Sequence, residues 1–304
     1  MTAITFSSAP RPLGKSGLTV SPIAWGMWRF RGDDVAAAQR RVEAALEAGF
    51  TLLDTADVYG LDNAEPFGAA EALLGRVLKA SPGLRERFVL GGKAGIWPGV
   101  PYDSSQTYLT AAVEASLKRM NVERMDLFQI HRPDVLTHPA DLARTLERLR
   151  DAGKIGAVGV SNFTAAQTAA LAAHLPFPLA STQVEFSPVA IEPLEGGLLD
   201  QAMERDLGVL AWSPLGGGRL GDGATPDGRA GAVAAVLDVL ARREGVSRAV
   251  IAYAWILAHP ARPIPIVGTQ DPARIAEAAR ALTVQLSRAD WYGVLTAARG
   301  APLP

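Results

Sequence analysis

The chain has 304 residues, and its 30 lysines and arginines nearly balance its 31 aspartates and glutamates. This balance gives no electrostatic case for binding nucleic acid or an acidic membrane surface. The absence of cysteine excludes disulfides, thiolate metal sites and cysteine nucleophiles, and it agrees with a cytoplasmic location. The first 14 residues lack a signal-peptide core, and no apolar stretch approaches the roughly 18 residues of a membrane span.

Eight short apolar runs are spread along the whole chain. Several are continuous rather than alternating, which is typical of strands that are buried on both faces. The runs predict strands at Ile23–Trp28, Thr51–Ala56, Phe88–Gly92, Met125–His131, Ile155–Val160, Ser181–Phe186, Gly208–Trp212 and Ile264–Val267.

Segments with a helical period lie between and after these runs. The spacing of apolar residues predicts helices over Val35–Ala48, Gln106–Met120, Asp141–Asp151 and Arg288–Ala298. Gly49 and Gly153 suit the ends of two of these helices, and Ser287 suits the start of the last. The glycine-rich stretch Gly216–Gly231 is predicted to be a long loop after the seventh strand. It is either a mobile surface loop or a loop with a functional role.

Repeated alternation of strand and helix predicts a parallel sheet with right-handed crossovers. Eight units in a chain of this length favour closure into a (β/α)₈ TIM barrel over an open sheet, and no G-x-G-x-x-G follows the first strand. No linker-like stretch divides the sequence. We therefore predict one α/β barrel domain over residues 1–304.

Four distinctive polar residues stand at or just after the ends of strands two to four: Asp54, Tyr59, Lys93 and His131. The carboxyl ends of parallel strands meet at one mouth of a barrel. Lys93 lies between glycines in GGKAG and cannot easily reach solvent, so its ammonium requires a nearby anion, which Asp54 on the neighbouring strand supplies. Each residue alone has an ordinary structural explanation. The four together predict a proton-delivery site.

The chemistry of such a site follows from the residue types. A phenol has a pKa of about 10, and a nearby ammonium lowers that pKa. We expect Lys93 to make Tyr59 acidic enough to protonate a carbonyl oxygen, Asp54 to orient Lys93, and His131 to hydrogen-bond the carbonyl oxygen. None of these groups supplies a hydride, which requires a nicotinamide cofactor.

The motifs around these residues resemble those of the aldo-keto reductases, and the resemblance runs nearly from end to end. LDTADVYG resembles the family's Asp/Tyr motif, GGKAG its lysine strand and LFQIHRPD its histidine motif. GKIGAVGVSNF, STQVEFSP and LAWSPLGGGRL resemble its cofactor-binding strands. The similarity, greatest to bacterial NADP-dependent oxidoreductases, implies an NAD(P)H-dependent reductase of aldehydes and ketones with Asp54, Tyr59, Lys93 and His131 as its tetrad.

The resemblance also implies cofactor contacts, residue by residue. Ser161, Asn162 and Gln183 would bind the nicotinamide carboxamide, and Trp212 would stack on the ring where many members have tyrosine. The glycines after Trp212 expose bare amides to a pyrophosphate. The remaining contacts implied near the nicotinamide and pyrophosphate are Gly26, Met27, Trp28, Asp54, Ser213, Pro214, Leu215, Gly216, Gly217, Gly218 and Arg219.

In the family, the last strand and helix hold the adenosine end of the cofactor. The matching residues are Gly268, Thr269, Gln270, Arg274 and Glu277. Many members have a lysine in place of Gly268, which reaches the 2′-phosphate, and an asparagine in place of Ala278. Arg274 is retained, and its guanidinium suits a phosphate. We therefore predict NADP(H) as the cofactor, with NAD(H) as the alternative.

The substrate pocket is expected to be walled by Trp28, Tyr59, Trp97 and His131, which suits a small carbonyl compound. Plain packing is the alternative role of either tryptophan. The C-terminal loop sets substrate choice in many members of the family. Here the segment WYGVLTAARGAPLP is short, which implies an open site of broad specificity.

Two other functions are weighed. Some proteins similar to this family are auxiliary subunits of potassium channels, which bind the cofactor without turning over substrate; the complete tetrad disfavours that role. A metal-dependent hydrolase would need ligands such as Asp54, Asp57, Asp126 and His131, and a chain with four histidines disfavours a multi-histidine centre. We expect no metal, no nucleic-acid or membrane partner, and a monomer or weak homo-oligomer.

Overall fold

The computed structural model describes residues 4–221, 223 and 228–303 as a closed barrel of eight parallel strands. Its strands are β3 (Ala24–Gly26), β4 (Leu52–Asp54), β5 (Val89–Ala94), β6 (Met125–Ile130), β7 (Ile155–Ser161), β8 (Ser181–Glu185), β9 (Gly208–Trp212) and β10 (Ile264–Val267). They follow one another around the barrel in chain order, and β10 pairs with both β9 and β3 to close it. The predicted (β/α)₈ fold is confirmed, and all eight predicted strands are present.

Helices surround the barrel on its outer side. They are α1 (Val35–Glu47), α2 (Ala69–Ala80), α3 (Gln106–Met120), α4 (Pro139–Asp151), α5 (Ala165–Ala172), α6 (Glu192–Glu195), α7 (Leu198–Arg205), α8 (Gly228–Glu244), α9 (Arg248–Leu257), α10 (Pro272–Ala278) and α11 (Arg288–Arg299). The four predicted helices are confirmed to within two residues at each end. Their apolar faces pack on the strands and form the main core.

Local capping explains where several helices begin and end. The Ser287 hydroxyl accepts a hydrogen bond from the Asp290 amide, and the Asp290 carboxylate accepts one from the Ser287 amide, so α11 begins with a capping box. Gly49 follows α1 with φ of 83°, a left-handed conformation that favours glycine. These are the residues that the sequence indicated as helix boundaries.

The predicted loop Gly216–Gly231 is wrong at its end, because α8 already begins at Gly228. Ala230, Val233, Ala234 and Leu237 are buried at helical spacing, and burial of this face outweighs the low helix propensity of the glycines. Gly216–Gly218 forms a short 3₁₀ turn. Residues 222 and 224–227 of the predicted loop lie outside the described residues.

A two-stranded hairpin that the sequence did not predict covers the amino-terminal end of the barrel. Its strands are β1 (Arg11–Pro12) and β2 (Thr19–Val20), which pair antiparallel. Leu13 and Val20 from this hairpin are fully buried against Leu52 and Leu127 from the barrel interior. The hairpin thus closes one end of the barrel with apolar side chains and leaves the opposite end for a site.

Two stacked tryptophans join α9 to α11. The rings of Trp255 and Trp291 lie 4.9 Å apart and are within 9° of parallel. Each indole nitrogen donates to the other residue's backbone carbonyl at 3.0 Å. The helix beyond the eighth strand is therefore fixed to the barrel by two reciprocal buried hydrogen bonds.

Replacing Trp255 by Phe tests this junction. The change keeps an aromatic ring but removes the indole N–H that donates to the Trp291 carbonyl, so the free energy of unfolding should fall by about 1–3 kcal/mol. Urea unfolding followed by circular dichroism measures the change. Tyr292→Phe changes an exposed aromatic on α11, next to Trp291, and is the matched control, which should stay within about 0.5 kcal/mol of the parent. Equal effects of the two variants would contradict this role.

Candidate active site

A cavity of about 1010 Å³ opens at the carboxyl ends of the barrel strands. Most of the residues that the sequence singled out line it together. They are Gly26, Trp28, Asp54, Tyr59, His131, Ser161, Asn162, Gln183, Trp212, Ser213, Pro214, Leu215, Gly217, Gly218, Gly268, Thr269, Gln270 and Arg274. The barrel therefore brings side chains from seven of its strand ends to one cavity.

Three other predicted residues lie beside or below this cavity. Lys93 is fully buried beneath it, and the Met27 side chain is buried in the core while its amide donates to the Asp54 carbonyl at 2.9 Å. Trp97 lines an adjoining pocket of about 690 Å³, which shares Arg132 and Asp62 with the main cavity. Contact between the Met27 side chain and a ligand in the cavity is therefore not supported.

Three further predicted cofactor residues do not line the cavity. Gly216 faces Val189, with which a Cβ at this position would clash. The Arg219 guanidinium donates to the Gly216 carbonyl at 2.8 Å. Glu277, on the last turn of α10, also lies outside the lining. Contact of these three residues with a ligand in the cavity is therefore not supported by this structure.

Asp54 and Lys93 form a buried ion pair in the barrel. The Lys93 Nζ lies 2.6 Å from Asp54 Oδ2 and also donates to the Thr55 carbonyl at 2.7 Å. The register of the sheet sets Asp54 opposite Gly91 on β5, two residues before Lys93. The sequence prediction that Asp54 supplies the anion for Lys93 is confirmed.

A glutamine that the sequence analysis missed completes the environment of Asp54. Gln183 and Gln129 donate to Asp54 Oδ1 at 3.0 and 3.4 Å, and the Ser181 hydroxyl donates to Gln129 Oε1 at 3.3 Å. All of these residues are buried. The position of Gln129 between apolar residues in LFQI was the available signal, because a buried amide requires polar partners.

Burial has a large effect on Lys93. The low-polarity surroundings lower the pKa of Lys93 below its ordinary value, and the Asp54 carboxylate opposes that shift. The ion pair therefore does two things at once. It offsets the cost of placing an ammonium inside the barrel, and it fixes the position of the nitrogen below the cavity.

Tyr59 lies above the ion pair, and its pKa is shifted in the direction opposite to the prediction. The Lys93 Nζ is 5.0 Å from the centre of the Tyr59 ring, and the rings of Tyr59 and His131 meet edge to face at 5.9 Å. Burial raises the pKa of Tyr59 well above its usual value, and the Asp54 carboxylate raises it further. The expectation that Lys93 makes Tyr59 more acidic is wrong in this structure, because burial of the phenol raises its pKa and the Asp54 carboxylate adds to that rise. Tyr59 consequently carries its proton at neutral pH.

His131 is held as a neutral imidazole. It follows β6 directly, and its amide donates to the Ala94 carbonyl at 2.8 Å. Burial lowers the pKa of His131 well below 6.5, and the charges of Lys93 and Arg132 add to the shift. Its Nδ1 is buried and has no partner among the described residues, which leaves Nε2 as the ring nitrogen available to a ligand.

Asn162 connects the ends of three strands. It follows β7 with φ of 60°, a left-handed conformation that asparagine tolerates. Its amide nitrogen donates to the His131 carbonyl at 3.1 Å and to the Ser161 hydroxyl at 2.8 Å, and its oxygen accepts from the Trp212 indole at 3.0 Å. The Trp212 ring is thereby fixed at the cavity wall.

The far end of the cavity is rich in arginine. Gln270 donates to the Gly26 and Gly268 carbonyls at 3.1 and 3.3 Å, which ties the loop after β10 to β3. Besides Arg274, three arginines missed by the sequence analysis also line the cavity, namely Arg29, Arg31 and Arg41; a fourth, Arg132, lines it near His131 and Trp212. The run WRFRG directly after the first strand was the signal for two of them.

Comparison with known proteins identifies the family. The model of the Aldo/keto reductase family matches residues 22–294. A 6-dehydroglucose reductase of Novosphingobium aromaticivorans is 54% identical over the whole of both chains, and one of Agrobacterium fabrum is 38% identical over 93% of this chain and 96% of its own. The crystal structure of a thermostable aldo-keto reductase in complex with the inhibitor epalrestat superposes with a TM-score of 0.81 at 23% identity, and the match covers 95% of this chain and 99% of that one.

The chain therefore belongs to the aldo-keto reductase family, as its motifs predicted. It is an oxidoreductase that acts on carbonyl or CH–OH groups. No helix within the described residues is long and apolar enough to cross a membrane. In the same part of the chain, no group of three or more histidine, aspartate or glutamate side chains is arranged to hold a metal ion.

Replacing Asp54 by Asn tests the buried ion pair. The variant leaves the Lys93 ammonium without its counterion, so the free energy of unfolding should fall by about 3–5 kcal/mol at pH 7. Loss of the carboxylate also lowers the pKa of Lys93 further, since Asp54 raises it. The unfolded chain then binds more protons than the folded one, so the stability of the variant rises with pH.

The measurement is urea unfolding of parent and variant at pH 7 and pH 9. The deficit of Asp54→Asn should be smaller at pH 9. The double variant Asp54→Asn/Lys93→Met carries no buried charge at these positions and is the control, whose difference from the parent should depend less on pH. A deficit that grows with pH would contradict the buried ammonium.

Proposed function

We propose that this protein reduces carbonyl groups to alcohols with NADP(H), and that Tyr59 protonates the carbonyl oxygen. The observation that carries the proposal is the meeting of Tyr59, His131 and the Asp54–Lys93 ion pair at one end of a large cavity. The chemistry of these groups matches the carbonyl chemistry of the family. Bound NADPH would supply the hydride that no side chain can provide.

Unused hydrogen-bonding capacity around Trp212 fits a nicotinamide carboxamide. Both amide protons of Asn162 are engaged, by His131 and Ser161, and both of Gln183 are engaged, by Asp54 and Gln129. Each of these amides therefore offers a ligand only its oxygen, while the Ser161 hydroxyl keeps a proton to donate. A primary carboxamide has an NH₂ group for two acceptors and an oxygen for one donor.

The other half of the cavity suits the pyrophosphate and adenosine. A Cβ placed on Gly217 would meet nothing within 4 Å, so a ligand can approach the backbone there closely, whereas the Gly218 amide already donates to the Leu215 carbonyl at 3.1 Å. Gln270 Oε1 is buried and lacks a partner within residues 4–221, 223 and 228–303. Such an oxygen suits a donor on the ligand, for example a ribose hydroxyl or the adenine amine.

The tetrad performs the proton chemistry in this proposal. Tyr59 holds its proton at neutral pH because its pKa is raised, and it gives that proton to the oxygen as negative charge develops there. The phenolate that remains is stabilised by the Lys93 ammonium 5.0 Å from the ring centre. Asp54 keeps the ammonium in place, and neutral His131 hydrogen-bonds the substrate oxygen through Nε2.

The substrate we propose is an aldehyde carried on a hexose, in line with the two relatives named 6-dehydroglucose reductase. Aromatic faces of Trp28 and Trp212 line the mouth, and Asp62, Asn63 and Arg132 lie among them. Flat apolar faces combined with a few polar groups suit a ring that carries hydroxyl groups on its edge. The reaction would convert 6-dehydroglucose to glucose.

Replacing Tyr59 by Phe tests the assignment of the proton donor. The variant should reduce 6-dehydroglucose about 10²–10⁴-fold more slowly than the parent. NADPH binding, followed by protein fluorescence, should change little, since the ring remains and only the hydroxyl is lost. Reduction of 6-dehydroglucose by the variant at the parent rate would contradict the role of Tyr59 as proton donor. NADPH binding by the parent without turnover of 6-dehydroglucose or 4-nitrobenzaldehyde would instead indicate a binding subunit.

The pH dependence of the rate follows from the directions of two shifts. A His131 pKa well below 6.5 keeps the imidazole neutral above pH 6, and a raised Tyr59 pKa keeps the phenol protonated into the alkaline range. The turnover rate at saturating NADPH and aldehyde should therefore be nearly constant from pH 6 to pH 9. Stopped-flow or steady-state NADPH oxidation measures it. A rate that falls tenfold as pH rises from 6 to 8 would mean that a protonated histidine is required.

A further inference from the structure

The arginines at the adenosine end of the cavity are placed for an anion. Five arginines line the cavity, against the two aspartates Asp54 and Asp62; Arg132 lies near His131 and Trp212, and the other four are Arg29, Arg31, Arg41 and Arg274. Asp54 is engaged by Lys93, and Asp62 accepts a hydrogen bond from the Trp28 indole at 2.9 Å. Positive charge therefore dominates the end of the cavity away from the tetrad.

Arg29 holds a particular place in this group. It follows β3 in the sequence GMWR, and its guanidinium lies 4.6 Å from the centre of the Trp28 ring. Stacking on an indole restrains an arginine that is otherwise exposed. Within the described part of the chain, the guanidinium of Arg29 forms no salt bridge or hydrogen bond, so its five N–H groups are available to a ligand.

Arg29 follows β3 and Gly268 follows β10, and these two strands are neighbours in the barrel. The Arg29 guanidinium lies beside Gly268. A Cβ built on Gly268 would have Arg29 Nη1 as its nearest neighbour, at 3.6 Å. Many members of the family have a lysine at this position. In this chain a cation thus reaches the same place from the first strand–helix loop instead of from the last strand.

We propose that Arg29 is the cofactor-specificity residue of this protein, which binds the 2′-phosphate of NADP(H) in place of a lysine at position 268. The inference rests on the proposed use of NADP(H) and assigns its recognition to a residue outside the segment after β10. A guanidinium forms two parallel hydrogen bonds with a phosphate, which an NAD(H) ribose hydroxyl cannot match. Arg274 faces the same end of the cavity but lies on α10.

Binding measurements on one variant test the assignment. Arg29→Met keeps an apolar stem over Trp28 and removes the charge. By calorimetric titration, its affinity for 2′,5′-ADP and for NADPH should fall about tenfold or more, as expected for a lost charged hydrogen bond, while its affinity for NADH should stay unchanged. Arg40→Ala removes an exposed arginine of α1 outside the cavity and is the matched control, with parental affinities expected.

A second variant distinguishes loss of the Arg29 charge from a structural disturbance of the loop that follows β3. Gly268 has room for a side chain at ordinary contact distance, so Arg29→Met/Gly268→Lys should recover most of the lost affinity for 2′,5′-ADP. Unchanged discrimination between NADPH and NADH in Arg29→Met, or a loss equal to that of Arg40→Ala, would overturn the assignment. A parent protein that binds neither nucleotide would refute the proposed function itself, which separates the two failures.

Discussion

The active-site end of this barrel depends on one buried ion pair. An ammonium enclosed in a protein interior is costly, and Lys93 is tolerated only because Asp54 lies 2.6 Å away and is itself held by two glutamines. The same pair lies directly below Tyr59, and the Asp54 carboxylate adds to the rise of the Tyr59 pKa. Burial then controls the tyrosine, whose pKa rises instead of falling. In the proposed function, Tyr59 holds the proton to be transferred and Lys93 is the fixed cation beside the phenolate that remains.

The two ends of the barrel are built by opposite means. At the amino-terminal end, Leu13 and Val20 from the hairpin fill the interior with apolar side chains. At the carboxyl end, the interior residues are polar, and hydrogen bonds between neighbouring strands hold them in place. Asn162 is the clearest case, because its amide forms hydrogen bonds with His131, Ser161 and Trp212 and so connects the end of β6 to the aromatic wall. The cavity walls are therefore organised before any ligand arrives, which reduces the cost of binding.

The long cavity combines two kinds of recognition in one continuous surface. Near the tetrad, the side chains other than Arg132 are neutral or internally paired, and the hydrogen-bonding capacity left over is specific in its donors and acceptors. At the far end, Arg29, Arg31, Arg41 and Arg274 supply positive charge. This division suits a ligand with an uncharged reactive end and a phosphorylated handle. It also explains how a chain with glycine at position 268 retains a cation in that region through Arg29.

The sequence alone predicted the barrel, its eight strands and the four polar residues Asp54, Tyr59, Lys93 and His131 that the structure brings together, because a continuous apolar run or a lysine between glycines is a local signal along the chain. It also indicated the ion partner of Lys93. Only the tertiary structure decided the direction of the Tyr59 shift, the role of Gln129 and the approach of Arg29 to Gly268. Each of these joins residues that are far apart in sequence, and the pKa of a group depends on everything packed around it, which a pattern along one chain does not record.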